Sequence, residues 1–278
     1  MFGDNRMISK DTIMCISIAE RPGSLGATIF NNAFKRLSLD YIYKPLLVES
    51  KNLEISILAI RAWGIRGCGV SMPHKIEVMK YLDKIDGTAK KIGAVNTIVN
   101  SDGILTGYNT DFEGAKIITK RDFDVKGADV LIAGAGGAAR AIIQALIENK
   151  SSKIYLTNRD EQKSRMVAKE FKIRFLPWRD KDLMSGKLLI NATPLGMRSE
   201  DKCIFADETI RQFDAVMDVV VSLHDTLLIK KAKKFGKVAL PGIRMSSLQG
   251  MVQFKLYTRK NIPIRIIEEG IQQFLKKH

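Results

Sequence analysis

Apolar residues recur at two spacings along the first hundred residues, and their alternation predicts strands and helices in turn. Ile13 to Ile18 is an apolar run of strand length, Ala27 to Leu37 places Ile29, Ala33 and Leu37 on one helical face, and Tyr41 to Val48 returns to a strand. A helix is expected over Asn52 to Trp63 and a strand over Gly67 to Met72, with Pro73 setting the turn into a further helix that Lys75 starts. Lys84 to Lys91 is polar and predicts a helix. Gly93 to Val99 and Gly103 to Leu105 predict a hairpin around Ser101-Asp102-Gly103, because Asp-Gly tolerates the positive φ of a tight turn.

Beyond Asp111 a connecting helix leads into a second alternating region, about Val125 to Leu240, with later strands at Leu188 to Asn191, Ala215 to Val221 and Lys237 to Leu240. Two closing helices, Met245 to Tyr257 and Ile264 to Lys276, have no strand after them. The second carries Ile264, Ile267, Ile271 and Phe274 on one face and needs a surface already built, most simply the N-terminal region. The expectation is an α/β chain of two domains. Residues 1–111, with 245–278 packing back on them, form one; residues 112–244 form a Rossmann-type domain.

The densest signal lies inside that second region. Val130-Leu-Ile-Ala133 reads as a strand, Ala141 to Ile147 as a helix and Lys153 to Thr157 as the next strand of a βαβ unit. Between strand and helix stands a Gly-x-Gly-x-x-Ala turn, Gly134-Ala135-Gly136-Gly137-Ala138-Ala139. Gly134 permits the tight turn, Gly136 lets the backbone approach a pyrophosphate, and Ala139 is small enough for the helix to pack on the strand. The helix N-terminal N–H groups are then aimed at anionic oxygens. The plain alternative is a glycine-rich connection of any doubly wound sheet. At the tip of the second strand, Asn158-Arg159-Asp160-Glu161-Gln162-Lys163 offers cations to a 2′-phosphate, which favours NADP over NAD. Asp160 and Glu161 read as partners of the helix N-terminus rather than as ribose ligands.

Bulk properties narrow the class. A chain of 278 residues can bury two cores, and 27% charged with 45% hydrophobic residues is a globular balance. No stretch reads as a signal peptide or membrane span; the opening Met1 to Arg6 is polar. Cys15, Cys68 and Cys203 have no paired or metal-like spacing and His74, His224 and His278 add no zinc site, so no metal and a reducing, cytoplasmic setting are expected. The net charge of +15 raises nucleic acid as a partner, but the basic residues are scattered and aromatics are only 7% of the chain. A cationic surface also steers an anionic sugar acid and a phosphorylated cofactor.

Ser71-Met-Pro73-His-Lys75, Gly93-Ala-Val-Asn96-Thr97, Gly107-Tyr-Asn109-Thr-Asp111, the glycine turn, Asn158-Arg159, Asn191-Ala-Thr-Pro-Leu-Gly-Met197 and Gln249 follow one another in the order found in shikimate dehydrogenases. The chain resembles that family. The wording of Arg21-Pro-Gly-Ser24-Leu-Gly26 and of Gly64 to Pro73 is similar to its shikimate dehydrogenase-like branch. The resemblance implies reversible NADP-linked reduction of 3-dehydroshikimate to shikimate, in a cleft between two α/β domains.

Reduction of a ketone leaves a developing alkoxide that needs a positive neighbour and a proton. Lys75 can supply both and Asp111 can orient it, and the resemblance makes them the catalytic pair. Taken alone, Lys75 could be a solvated helix residue and Asp111 an N-cap. By the same resemblance Ser24, Ser71, Asn96 and Gln249 bind substrate, while Thr193, Val219 and Gly242 lie by the cofactor. Three positions depart from the family: Gly26 stands where it has a second serine, Val221 where it has a tyrosine and Gly69 where it has an asparagine. Arg21 and Arg66 are cations that could fill the gap, and His74 reads as a packed turn residue. Competing expectations are a dehydrogenase of quinate or another cyclic hydroxy acid, and a ligand sensor that keeps the fold; a homodimer is compatible with each.

Overall fold

Strand β1 (Ile13–Ala19) buries Cys15, Ile16, Ile18 and Ala19 on both of its faces, as a strand flanked by parallel neighbours must. The computed structural model describes residues 8–197, 202–222 and 224–276, so Met1 to Arg6 and His278 lie outside the described residues. After β1 come α1 (Leu25–Arg36), β2 (Tyr41–Leu47), α2 (Leu53–Ala62) and β3 (Gly67–Val70). Then follow β4 (Lys84–Ile85), α3 (Gly87–Ile92), β5 (Thr97–Ser101) and β6 (Ile104–Tyr108). Their six strands form one sheet, ordered β2-β1-β3-β5-β6-β4. Strand β1 runs parallel to β2 and β3, whereas β5 and β6 form the expected hairpin, with Asp102 and Gly103 both at positive φ.

Two local expectations fail in this region. Lys75 starts no helix: its carbonyl accepts from Val95 N (2.7 Å), which removes it from any i→i+4 ladder, and a 3-10 turn forms later, at Glu77–Tyr81. Lys84 to Lys91 is not one helix either. Asp83 accepts from Leu105 N (2.7 Å) and Asp86 N donates to Gly107 O (2.9 Å), so Lys84 and Ile85 become a parallel edge of β6 and only α3 is helical.

The chain continues with α4 (Thr110–Ile117), which runs into a π-helical turn, and then β7 (Asp129–Ala133), α5 (Gly137–Glu148), β8 (Lys153–Thr157), α6 (Glu161–Phe171) and β9 (Arg174–Phe175). Next come β10 (Gly186–Asn191), α7 (Asp207–Arg211), β11 (Phe213–Asp218), α8 (Leu227–Lys234), β12 (Val238–Leu240), α9 (Gly242–Thr258) and α10 (Ile264–Leu275). The second six-stranded sheet is parallel at every pairing, in the order β12-β11-β10-β7-β8-β9. Numbered from β7 as the first, that is 6-5-4-1-2-3, the doubly wound dinucleotide-binding order, whose direction reverses between β7 and β10. The expected strand from Ala215 to Val221 stops at Asp218, and α9 starts at Gly242 rather than at Met245.

The chain divides into two compact units. The first holds Met1–Asp86, Val95–Tyr108 and Gln253–His278. Its core includes Phe30 stacked on Tyr43, with centroids 4.7 Å apart, and α10 packs on α1 so closely that a Cβ on Gly270 would lie 2.7 Å from Ile29 Cα. Ile267 and Ile271 of the predicted apolar face are buried there. The second unit holds Gly87–Ala94 and Asn109–Val252. Within it, Arg140 of α5 donates from Nε to Ile92 O (2.6 Å) and pairs with Glu170, which ties α3 to the nucleotide-type sheet.

Candidate active site

The turn after β7 is where the second sheet reverses its order. Gly134 has φ +115°, and a Cβ there would sit 2.6 Å from Ala192 O, so backbone angle and packing both demand glycine. Gly136 is different. Its φ of −89° and ψ of −174° suit any residue, and a Cβ would meet no protein atom within 4 Å. Among the described residues no neighbour requires a glycine at that position; glycine suits it as the N-cap of α5 and leaves room for close approach by a ligand. Helix α5 begins there with no side-chain cap, so the N–H groups of Gly137, Ala138 and Ala139 remain for an anion, and buried Ala139 seats the helix on the sheet. The turn fits a pyrophosphate.

At the tip of β8, Arg159 is exposed, and neither it nor Lys163 makes an ion pair among the described residues. Asp160 caps α6 by accepting from Lys163 N (3.0 Å), while Asn158 donates from Nδ2 to Asp160 O (3.1 Å). Both cations are thus left on the rim of the first turn, as a 2′-phosphate site needs. Glu161 accepts from Trp178 N (3.0 Å), a link between segments beyond its expected place at the helix N-terminus.

The ends of β10 and β11 are held by a buried network that the sequence did not announce. Asp218 accepts from Asn191 Nδ2 (3.0 Å), Val220 N (3.1 Å) and Thr226 Oγ1 (2.6 Å). An acidic residue at a strand end that accepts two residues onward is an Asx turn, the one local signal available for it. Thr193 turns its hydroxyl onto Asn191 Oδ1 (2.7 Å), and Val219 N donates to Asn191 O (3.0 Å). A Cβ on Gly242 would lie 2.4 Å from Val220 O and 2.6 Å from Val219 O, so its close approach is to this backbone. Val221 is half-buried in the same loop.

Asp111 lies in the first turn of α4, buried, and does not cap it. Asn109 is the cap: its Oδ1 accepts from Phe112 N (3.2 Å) and its Nδ2 donates to Ala94 O (2.8 Å). Thr110 donates to Gln249 Oε1 (2.9 Å), and a Cβ on Gly114 would be 3.0 Å from Met245 O. The second unit therefore brings Gln249 of α9 to the residue beside Asp111.

In the first unit Ser24 is the exposed N-cap residue of α1, Ser71 is exposed at the end of β3, and Lys75 is half-buried in the turn that follows. Asn96 is buried; its backbone donates to Tyr108 O (3.0 Å) and accepts from Val70 N (2.7 Å). His74 packs as expected, 1% exposed, with Nε2 2.8 Å from Val48 O. Arg66 cannot replace the donor missing at Gly26, since its guanidinium donates to the carbonyls of Tyr257 and Asn100 and to Ser101 Oγ. What does stand beside Gly26 is Tyr43, whose Cε1 lies 3.4 Å from the place of a Cβ. Burial pushes the Tyr43 phenol well above its ordinary range.

Sheet order, glycine turn and bare helix terminus together define a dinucleotide-binding α/β protein. Residues 22–98 match the family model of the shikimate dehydrogenase substrate binding domain, and residues 115–194 that of shikimate / quinate 5-dehydrogenase. The NADP(+) shikimate dehydrogenase of Methanothermobacter thermautotrophicus is 35% identical over 91% of this chain and 93% of its own length. A shikimate dehydrogenase-like protein of Haemophilus influenzae is 34% identical over 95% and 97%. A crystal structure of a shikimate dehydrogenase in complex with NADP+ superposes with a TM-score of 0.89 at 35% identity, over 97% of this chain and 98% of that one. The chain belongs to the shikimate dehydrogenase family.

Proposed function

We propose that the protein interconverts shikimate and 3-dehydroshikimate with NADP. The observation that carries the reading is the uncapped start of α5 at Gly136, a glycine held by neither its dihedral angles nor any described neighbour. NADP, when bound, accepts or returns the hydride at the ring carbon. The N–H groups of Gly137 and Ala138 hold its pyrophosphate, with Ala135 in the same turn, and Arg159 and Lys163 hold the 2′-phosphate. Thr193, Val219 and Gly242 shape the loops beside it.

On the substrate, Lys75 holds and moves the proton at the reacting oxygen, and Asp111 keeps the lysine and the hydroxyl oriented. Asn96 and Gln249 donate to ring hydroxyls, and Ser24 and Ser71 supply hydroxyls for the rest of the molecule. A second reading, quinate or another cyclic hydroxy acid as preferred substrate, is favoured by one observation: Gly26 and Val221 carry no hydroxyl.

Steady-state oxidation of shikimate and of quinate, each with NADP, separates the two readings. Lys75→Ala and Asp111→Asn are expected to lower turnover by about two orders of magnitude or more while the NADP Michaelis constant stays nearly unchanged, the double variant being little worse than either. Near-normal turnover in Lys75→Ala would remove the assignment. Quinate used with far higher kcat/KM than shikimate would decide for the second reading.

A further inference from the structure

Beneath Asn96 lies a chain of buried polar groups with a definite direction. Gln253 of α9 donates from Nε2 to Thr97 Oγ1 (2.9 Å), and Thr97 Oγ1 donates to Asn96 Oδ1 (2.9 Å). All three belong to the first unit, and Gln253, Thr97 and Asn96 are 4%, 0% and 4% exposed. A hydroxyl has one proton. The Gln253 amide takes an acceptor site on Thr97 while the Thr97 proton lies toward Asn96 Oδ1, so the Asn96 carboxamide is held with its oxygen toward Thr97. The end that faces away from Thr97 is the amino group, a donor to which a ring hydroxyl can present a lone pair.

Gly69 makes room for this arrangement. It pairs with Thr97 across β3 and β5, and a Cβ on it would lie 2.8 Å from the Tyr43 hydroxyl and 3.4 Å from both Gln253 Nε2 and Ser17 Cβ. A side chain at position 69 would take space that the phenol now fills, while its contact with the glutamine amide would be an ordinary one. The Tyr43 phenol, raised by burial, stays protonated at neutral pH and is hydrogen-bonded to Ser17, so it sits beside the glutamine amide as a neutral neighbour.

We propose that Gln253 and Thr97 are positioning residues that fix the Asn96 carboxamide with its amino group toward the substrate, and that Gly69 is glycine to admit the Tyr43 phenol packed beside them. The proposal rests on the reading of Asn96 as a substrate contact. Neither residue is asked to touch substrate; each acts through Asn96.

The test uses Thr97→Val, which keeps the shape and removes the hydroxyl, with Thr97→Ser as the conservative partner, both assayed at saturating NADP. Thr97→Val should raise the shikimate KM about tenfold with kcat and the NADP KM within about twofold, and Thr97→Ser should restore the parental KM. In an Asn96→Ala background, which itself should raise KM, Thr97→Val should add nothing further, because its effect runs through the missing carboxamide. Gln253→Leu removes the other end of the chain and is assayed in the same way, so that a Thr97→Val protein that fails to fold leaves the proposal exposed. An unchanged shikimate KM in the folded variant, or a rise that persists in full without Asn96, overturns the proposal while the reading of Asn96 stands. An unchanged KM in Asn96→Ala itself overturns both.

Discussion

Two glycines of one turn are required for different reasons, and the difference is measurable. Gly134 is fixed by its own backbone, with φ +115° and Ala192 O 2.6 Å from any added Cβ, so Gly134→Ala is strained whether or not cofactor is present. A strain of about 1–3 kcal/mol should lower the melting temperature by roughly 2–10 °C. Gly136 has no such constraint. Gly136→Ala gives up only the advantage of glycine over alanine at an N-cap, about 1 kcal/mol. It should melt within roughly 4 °C of the parent yet bind NADP at least about tenfold more weakly, the methyl standing where the pyrophosphate comes in. If that variant binds NADP as the parent does, the ligand no longer explains the glycine. Arg159 is tested by preference instead. Losing a charge-assisted contact of about 1.5–3 kcal/mol should raise the NADP KM of Arg159→Ala roughly 10- to 150-fold with little change for NAD. A parent enzyme equally efficient with both cofactors would leave Arg159 without that role.

Elements whose reason for existing is local were legible in the sequence, and those made by distant partners were not. Strand β1 announces itself as an apolar run of strand length buried on both faces, and helices α1 and α10 because burial selects their apolar positions at a period of 3.6. The β5–β6 hairpin is legible from Asp102-Gly103, since the turn's dihedral angles are a property of those two residues. Strand β4 is only Lys84–Ile85 and exists because β6 offers it a parallel edge, while the polar composition alone suggests a helix. The helix expected at Lys75 is lost to a carbonyl claimed by Val95, twenty residues on. The candidate site divides in the same way. The glycine turn and the Asp160 cap follow from spacing, whereas the roles of Lys75, Asp111, Asn96 and Gln249 rest on resemblance to a family. Gln253 was invisible: its partner Thr97 stands 156 residues earlier, and a lone glutamine on a helix carries no pattern.

At the scale of the whole molecule the strongest property is charge, +15 from 45 basic and 30 acidic residues with histidines neutral. Some basic residues are neutralised locally by a carboxylate: Arg244 with Asp122 and Lys116 with Glu148 set each carboxyl below its usual range despite some burial. The excess of basic residues is not cancelled in this way, and it acts on whatever anion approaches. A cofactor with several phosphates and a carboxylate substrate both gain from such a field, over a range set by screening of about 10 Å at 0.1 M salt. The kcat/KM for NADP should therefore fall steadily as sodium chloride is raised, and the fall for shikimate should be shallower, because it carries one charge. Arg159→Ala removes a contact but only one unit of the +15, so its kcat/KM should start lower and keep most of the salt slope. A slope abolished by that single substitution would place the whole electrostatic effect in one ion pair. A parent enzyme indifferent to salt would show that the surplus charge serves neither ligand.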